Sequence, residues 1–291
     1  MEPMLPAPIE LAPPGLSVPG AGSLPELVLD GAPAVAAKGR DAALGSIEPA
    51  VRGWRYDART LLLRQSLFTH FEAPFLTLLL GSRRALLLDT GTGDADVRRA
   101  IDGLLAGYGG ELVVAHTHAH DDHVGGDGQF VGRARTTIVG HSLLDVRNTF
   151  GLGGSGRGGI DLGDRRIDVL AIPGHEAAHV AFYDPDTRLL LTGDTLYPGR
   201  LYVRDWAAYV ASVGRLVDFV DDGHAPSHVL GAHIELSADD VEYPERATLH
   251  PNEHPLPLAE THLRDLKQTV DAMASAPVRT KRRSFVVVPL L

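Results

Sequence analysis

From about residue 51 onward the chain is a series of short apolar runs, each cut off by turn-forming residues. Leu61-Leu62-Leu63, Phe75 to Leu80 and Ala85 to Leu88 are too short for helices and read as buried strands. Gly81-Ser82 makes a hairpin turn between the last two. Asp94 to Leu105 instead carries apolar residues at helical spacing (Val97, Ile101, Leu104, Leu105), with Asp94 as the expected N-cap and Gly107 as the stop. Leu112 to Ala115 is the next strand and runs directly into a cluster of histidines. Further strands are predicted at Thr136–Val139, Asp168–Ile172, Val180–Tyr183, Leu189–Thr192 and Val229–Leu230, and helices at about Val203–Phe219 and Leu258–Ala274. Strands and helices alternating around two runs of sheet predict an α/β chain with sheets sandwiched between helices.

The first fifty residues differ in character. They hold nine of the twenty prolines and no sustained period, so residues 1–50 are expected to form an extended or disordered arm ahead of one domain over residues 51–291. Gly151 to Gly159 has six glycines in nine residues. It lacks the strand-to-helix setting and the Lys-Ser/Thr ending of a phosphate loop, and a mobile surface loop is expected.

Composition narrows the partners. There is no cysteine among the 291 residues, so no disulfide and no thiolate ligand is available. A net charge of −10 argues against nucleic acid or an anionic membrane surface. No apolar run reaches the ~18–20 residues of a membrane span. Prolines also interrupt any basic-then-apolar leader, and the expected location is the cytoplasm. The short basic cluster Arg279 to Arg283 reads as a solvated segment. The expected partner is a small-molecule substrate; assembly into a homo-oligomer stays open.

The most informative segment is His116-Thr117-His118-Ala119-His120-Asp121-Asp122-His123-Val124-Gly125-Gly126. Four histidines and two aspartates within eight residues serve neither a core nor a solvated loop. Imidazole and carboxylate are the ligands that zinc, iron and manganese take where thiolates are absent. Two histidines one residue apart point to the same side of an extended segment and can reach one metal. Gly125 and Gly126 would let backbone pack close to the site.

This segment resembles the His-X-His-X-Asp-His motif of the metallo-β-lactamase superfamily. Starting at His118 fits at His118, His120, Asp122 and His123; starting at His116 fails, because Asp121 falls where the last histidine belongs. Four more elements resemble the family in order: Leu88-Asp89-Thr90-Gly91 upstream, then Pro173-Gly174-His175-Glu176-Ala177-Ala178-His179, Leu191-Thr192-Gly193-Asp194-Thr195 and Leu230-Gly231-Ala232-His233. The resemblance covers roughly residues 60 to 235. It implies a four-layer αββα sandwich of two mixed β-sheets flanked by helices. It also implies two divalent metal ions, zinc first, iron or manganese as the alternatives. His118, His120 and His175 would hold one metal and Asp122, His123 and His233 the other, with Asp194 bridging. Asp89, His116 and His179 would support these ligands from behind, His116 through a ring N–H bond to a carboxylate such as Asp89.

A water shared by two such metals has its pKa lowered toward ~7, giving a hydroxide that attacks a carbonyl carbon. Asp122 can orient it and pass its proton on. With all seven ligand positions filled, a catalytically inactive binding protein is disfavoured. The bridging Asp194 resembles members that act on thioesters and lactones more than β-lactamases. Arg200 and Tyr202 loosely match the segment where glyoxalase II contacts glutathione, although residues 234–291 are few for the helical domain that completes that site. Tyr197, three residues after Asp194, matches a tyrosine with which acyl-homoserine-lactone lactonases bind a substrate carbonyl; the alternative is an aromatic packed beside the site. The implied activity is hydrolysis of a thioester or other small ester, with lactonase and β-lactam hydrolase as alternatives. A nuclease is disfavoured by the acidic charge, and a diiron electron carrier by the want of a flavin domain. Of the fourteen histidines, His70, His141, His224, His228, His250, His254 and His262 match no ligand spacing and are expected in surface or hydrogen-bonded roles.

Overall fold

The structure, a computed structural model, describes residues 47–290, together with Glu26–Leu27 and Ala34–Ala36. Two mixed sheets form its centre. The first runs in the order Glu26–Leu27, Val51–Asp57, Thr60–Gln65, Phe75–Leu80, Arg84–Leu88, Glu111–Ala115, Thr136–Ile138. Its last two pairings are parallel and the rest antiparallel. The second runs Arg157–Asp161, Arg166–Ala171, Val180–Asp184, Leu189–Gly193, His228–Gly231, with only the final pairing parallel.

Side chains alternate across a strand, so each sheet that is buried on both faces feeds two cores. Leu86 and Leu88 of the first sheet meet Val169, Phe182 and Leu191 of the second in the core between the sheets. Ala85 and Leu87, on the opposite face, pack beneath α1 (Val97–Leu104) with Val97, Ala100 and Ile101. Leu170, Ala181 and Leu190 pack under α4 (Trp206–Asp221) and α5 (Glu260–Met273). Three cores separate four layers, the expected αββα sandwich. Two short helices, α2 (Asp121–Val124) and α3 (Leu143–Phe150), lie between α1 and α4 in the chain. Among the described residues no helix is long and apolar enough to cross a membrane.

Several boundaries differ from expectation. The cap of α1 is Asp96, whose side chain accepts from Arg99 N; Asp94 instead pairs with Thr92 in the preceding loop. The helix expected from Val203 begins at Trp206, because Asp205 caps it and Arg200–Val203 forms a strand. That strand joins a third sheet with Val286–Pro289 and Thr280–Lys281, which the sequence reading did not foresee. The glycine-rich stretch is not wholly a mobile loop. Its second half, Arg157–Asp161, is an edge strand in register with Arg166–Leu170. Glycine has low strand propensity, and here the neighbouring strand supplies the pairing. Most of the expected N-terminal arm lies outside the described residues; of those described, Ala34–Ala36 pairs with Ile47–Pro49 and Glu26–Leu27 with Val51–Asp57.

Candidate metal centre

Strands ending at Leu88, Ala115, Ala171, Gly193 and Gly231 deliver Asp89, the histidine cluster, the His175 loop, Asp194 and His233 to one end of the sandwich. The seven predicted ligands come together there. His120 Nδ1 lies 3.0 Å from His118 Nε2 and 2.9 Å from His175 Nε2. Asp122 Oδ2 lies 3.2 Å from both His123 Nε2 and His233 Nε2, which are 3.4 Å apart. Asp194 stands between the groups: Oδ2 is 3.5 Å from His175 Nε2 and 3.9 Å from His118 Nε2, and Oδ1 is 3.5 Å from His123 Nε2 and 3.4 Å from His233 Nε2.

The outward ring atoms fix which nitrogens face inward. A carbonyl or carboxylate can only accept, so the nitrogen facing it carries the proton. His175 Nδ1–H donates to Tyr202 O (2.7 Å), His233 Nδ1–H to Glu72 O (2.9 Å) and His123 Nδ1–H to Asp89 Oδ2 (2.9 Å). A neutral ring then turns a bare Nε2 lone pair toward its neighbours. His123 Nε2 and His233 Nε2, the pair whose outer nitrogens are both engaged, stand 3.4 Å apart, a spacing that a shared cation stabilises. Ligand nitrogens about 2.0–2.1 Å from a tetrahedral zinc stand ~3.3 Å from one another. Asp194 Oδ1 is fully buried and has no hydrogen-bond partner in the protein. A buried carboxylate oxygen without a donor is costly, and a metal ion would satisfy it. The donor set and the orphaned oxygen therefore fit two divalent cations.

Electrostatics agree. Burial raises a carboxyl pKa, yet the neighbouring His233 and His123 hold Asp194 well below the usual range. Burial lowers His233, but Asp194 and Asp122 outweigh it and carry the ring up to about 10. His118 is driven well below its ordinary value by burial, and the neighbouring rings of His123, His179, His175 and His120 push the same way.

Asp89 holds the loop beneath the centre. Its backbone is left-handed (φ 66°), and its carboxylate accepts from Thr117 N (2.8 Å), Thr117 Oγ1 (2.9 Å) and His123. Gly126 lies so close to Thr90 that an added Cβ would stand 2.2 Å from the carbonyl oxygen. His179 is buried with neither ring nitrogen bonded, and its ring packs 4.7 Å from that of His118.

Three expectations change. His116 does not bond to Asp89, which is already occupied; its Nε2 pairs with Asp127 Oδ1 (2.8 Å), whose other oxygen takes His141 Nε2 (2.8 Å). The hydroxyl of Tyr197 is already engaged: it donates to Arg200 O, with Glu235 Oε2 3.2 Å away, while the ring packs edge-on against His233. Arg200 is nearly buried, its guanidinium held by Glu235, Glu242 and Tyr243 O, so it is committed to the wall. Tyr197, Arg200 and Tyr202 all line the cavity over the centre, which measures about 330 Å³.

Sequence reasoning missed other residues of that cavity: Glu72, Arg204, Glu235 and Arg246. Burial pushes the Glu72 carboxyl up to about 7. No spacing could reveal these residues, because their loops meet the ligands only in three dimensions. The Glu72 position carried one signal, its place just before a predicted strand. His250, expected in a surface or hydrogen-bonded role, stacks its ring on Tyr243, pairs Nδ1 with Glu253 (3.2 Å) and also lines the cavity.

Comparison with known proteins follows the same lines. The family model described as the metallo-beta-lactamase superfamily matches residues 73–254. A hydroxyacylglutathione hydrolase of Synechococcus sp. (strain JA-3-3Ab) is 37% identical over 109 residues, covering 36% of this chain and 43% of that protein. Another from Rhizobium meliloti (strain 1021) is 29% identical over 174 residues, covering 55% and 64%. The acyl-coenzyme A thioesterase MBLAC2 of Homo sapiens is 37% identical over 70 residues, covering 22% and 24%. The chain spans less than two thirds of the length of these relatives. Among solved structures, a metallo beta lactamase from Erythrobacter litoralis superposes with a TM-score of 0.56 at 14% identity, over 77% of this chain and 97% of that one. One from Pontibacter korlensis gives 0.55 at 16%, over 76% and 99%. At such identity these two speak to the fold alone.

Proposed function

The chain belongs to the metallo-β-lactamase superfamily, and on that footing we propose that it is a dinuclear metal-dependent hydrolase of thioesters or other small esters. The observation that carries this reading is the placement of Asp194. One carboxylate oxygen faces the His118, His120, His175 group and the other faces Asp122, His123 and His233. Two divalent cations held there would supply Lewis acidity and a water acidic enough to react at neutral pH.

The protein's own groups do the rest. Carbonyls of Tyr202 and Glu72 and the carboxylate of Asp89 hold three of the imidazoles in place. Asp122 lines the cavity, orients the attacking water and takes its proton. Water oxygen adds to the carbonyl carbon, the C–S bond breaks, and the proton goes to the departing sulfur, leaving an acid and a thiol. The named activities of the relatives support a thioester over a β-lactam. Lactone hydrolysis stays the alternative, with Tyr197 in the cavity lining and its hydroxyl donating to Arg200 O.

The test is reconstitution with zinc, iron or manganese, metal analysis, and a panel of thioesters, lactones and β-lactams. Two metal ions per chain and fastest turnover on a thioester are expected. Less than one metal per chain, or no thioester turnover from a fully loaded protein, would refute the proposal.

A further inference from the structure

The centre stands at the junction of two hollows. One is the cavity beneath Glu72, Arg204 and Arg246. The other is a groove of about 680 Å³ that shares His120, His175 and Arg204 with it. The lining changes character across that junction. Leu143 and Val146 of α3, Leu152 of the glycine-rich segment, Pro173 and Ala178 of the His175 loop, and Ala208 of α4 form the groove. Its two acids are already engaged: Glu176 accepts from Ala178 N (2.8 Å) and Asp205 from Ala208 N (3.0 Å). At the mouth, Leu143 is 48% exposed and its neighbour Leu144 67%. Two leucines opening to solvent beside an apolar groove mark a surface that gains by being covered.

An acyl carbonyl at the centre carries two substituents that diverge from it. One hollow is polar and charged, the other apolar, and both reach the same two histidines. We infer that the groove holds the acyl chain of the substrate, while the charged cavity takes the polar thiol half. This rests on the hydrolytic reading above and sharpens it to an amphiphilic acyl thioester. It also gives the glycine-rich segment a part, since it carries Leu152 into the groove wall.

The metal-loaded full chain is assayed against S-acyl N-acetylcysteamine thioesters running from acetyl to decanoyl. kcat/KM is expected to climb about fourfold for each methylene buried, then level off. A flat or falling profile overturns the inference. Leu143→Glu at the exposed mouth and Ala208→Phe on the wall are each expected to cut the octanoyl-to-acetyl ratio of kcat/KM by about tenfold; an unchanged ratio in a folded variant overturns it. Leu143 is solvent-facing, so that variant remains informative if Ala208→Phe does not fold. A readout without turnover is displacement of a fluorescent dodecanoate analogue, where octanoate competes and acetate at equal concentration does not. Displacement without any thioester turnover keeps the groove and removes the thioester reading. Turnover of acetyl thioester with a flat profile and no displacement keeps the hydrolase and removes the groove.

Discussion

Asp89 shows how much one residue beside the centre can decide. Its carboxylate fixes the His123 ring and the Thr117 backbone together, from a left-handed backbone that aspartate tolerates better than most residues. Asp89→Asn keeps the shape but removes the charge that holds the Nδ1 proton of His123. Such supports typically govern metal affinity by 10- to 100-fold; a loss of about that size is expected in a competition titration with a chelating dye. Tyr197→Phe makes the opposite case. Its hydroxyl serves Arg200 O, so the change is expected to cost about 1 kcal/mol in urea unfolding and to leave kcat/KM within about threefold. A hundredfold fall in kcat would restore Tyr197 to the reaction. The seven candidate ligands were legible because each lies in a short pattern with its own register. His116 was assigned the wrong carboxylate because Asp127 and Asp89 are both within reach in sequence, and only the fold chooses between them.

Among elements, the coupling of α4 to the His175 loop is the most consequential. Arg204 N and Asp205 N, at the start of α4, both donate to Gly174 O (2.9 Å each). Gly174 itself sits at φ 139°, where a Cβ would meet the Tyr209 backbone at 2.5 Å. Gly174→Ala must push α4 and the loop apart, which is expected to cost about 1–3 kcal/mol in thermal or denaturant unfolding and to weaken metal binding through His175. A stable variant with unaltered metal affinity would show that the loop position is set elsewhere. The sandwiched strands were readable because their apolar runs are continuous, as buried strands require. Arg157–Asp161 and Val286–Pro289 were not: one is rich in glycine, and the other is flanked by a two-residue strand and by one more than eighty residues away in sequence.

For the whole molecule, a buried ion pair joins the first sheet to the wall of the cavity. The guanidinium of Arg64 grips Glu253 through two bonds of 2.6 and 2.7 Å. Burial opposes the charged form, but Arg64 overrides it and lowers the Glu253 carboxyl from 4.5 to about 2. A depressed carboxylate pKa contributes stability that is fully present above 4.5 and is lost as pH falls through about 2. The magnitude is on the order of 3 kcal/mol. Chemical denaturation across that window should show a slope that Glu253→Gln lacks; parallel curves would remove the pair from acid stability.

The candidate ligands fall in four stretches, His118 to His123, His175, Asp194 and His233, spread over more than a hundred residues of sequence. Bringing them together requires both sheets, so the centre is assembled only when folding is nearly complete. A metal ion arriving there acts as a clasp on a finished article rather than as a seed for it. Its binding free energy adds directly to resistance against unfolding, about 4 kcal/mol at a thousandfold excess over the dissociation constant. Molecules starved of metal would then be the ones that open most often. A protease is then expected to cut metal-stripped chains faster than loaded ones, which limited proteolysis with and without a chelator would check.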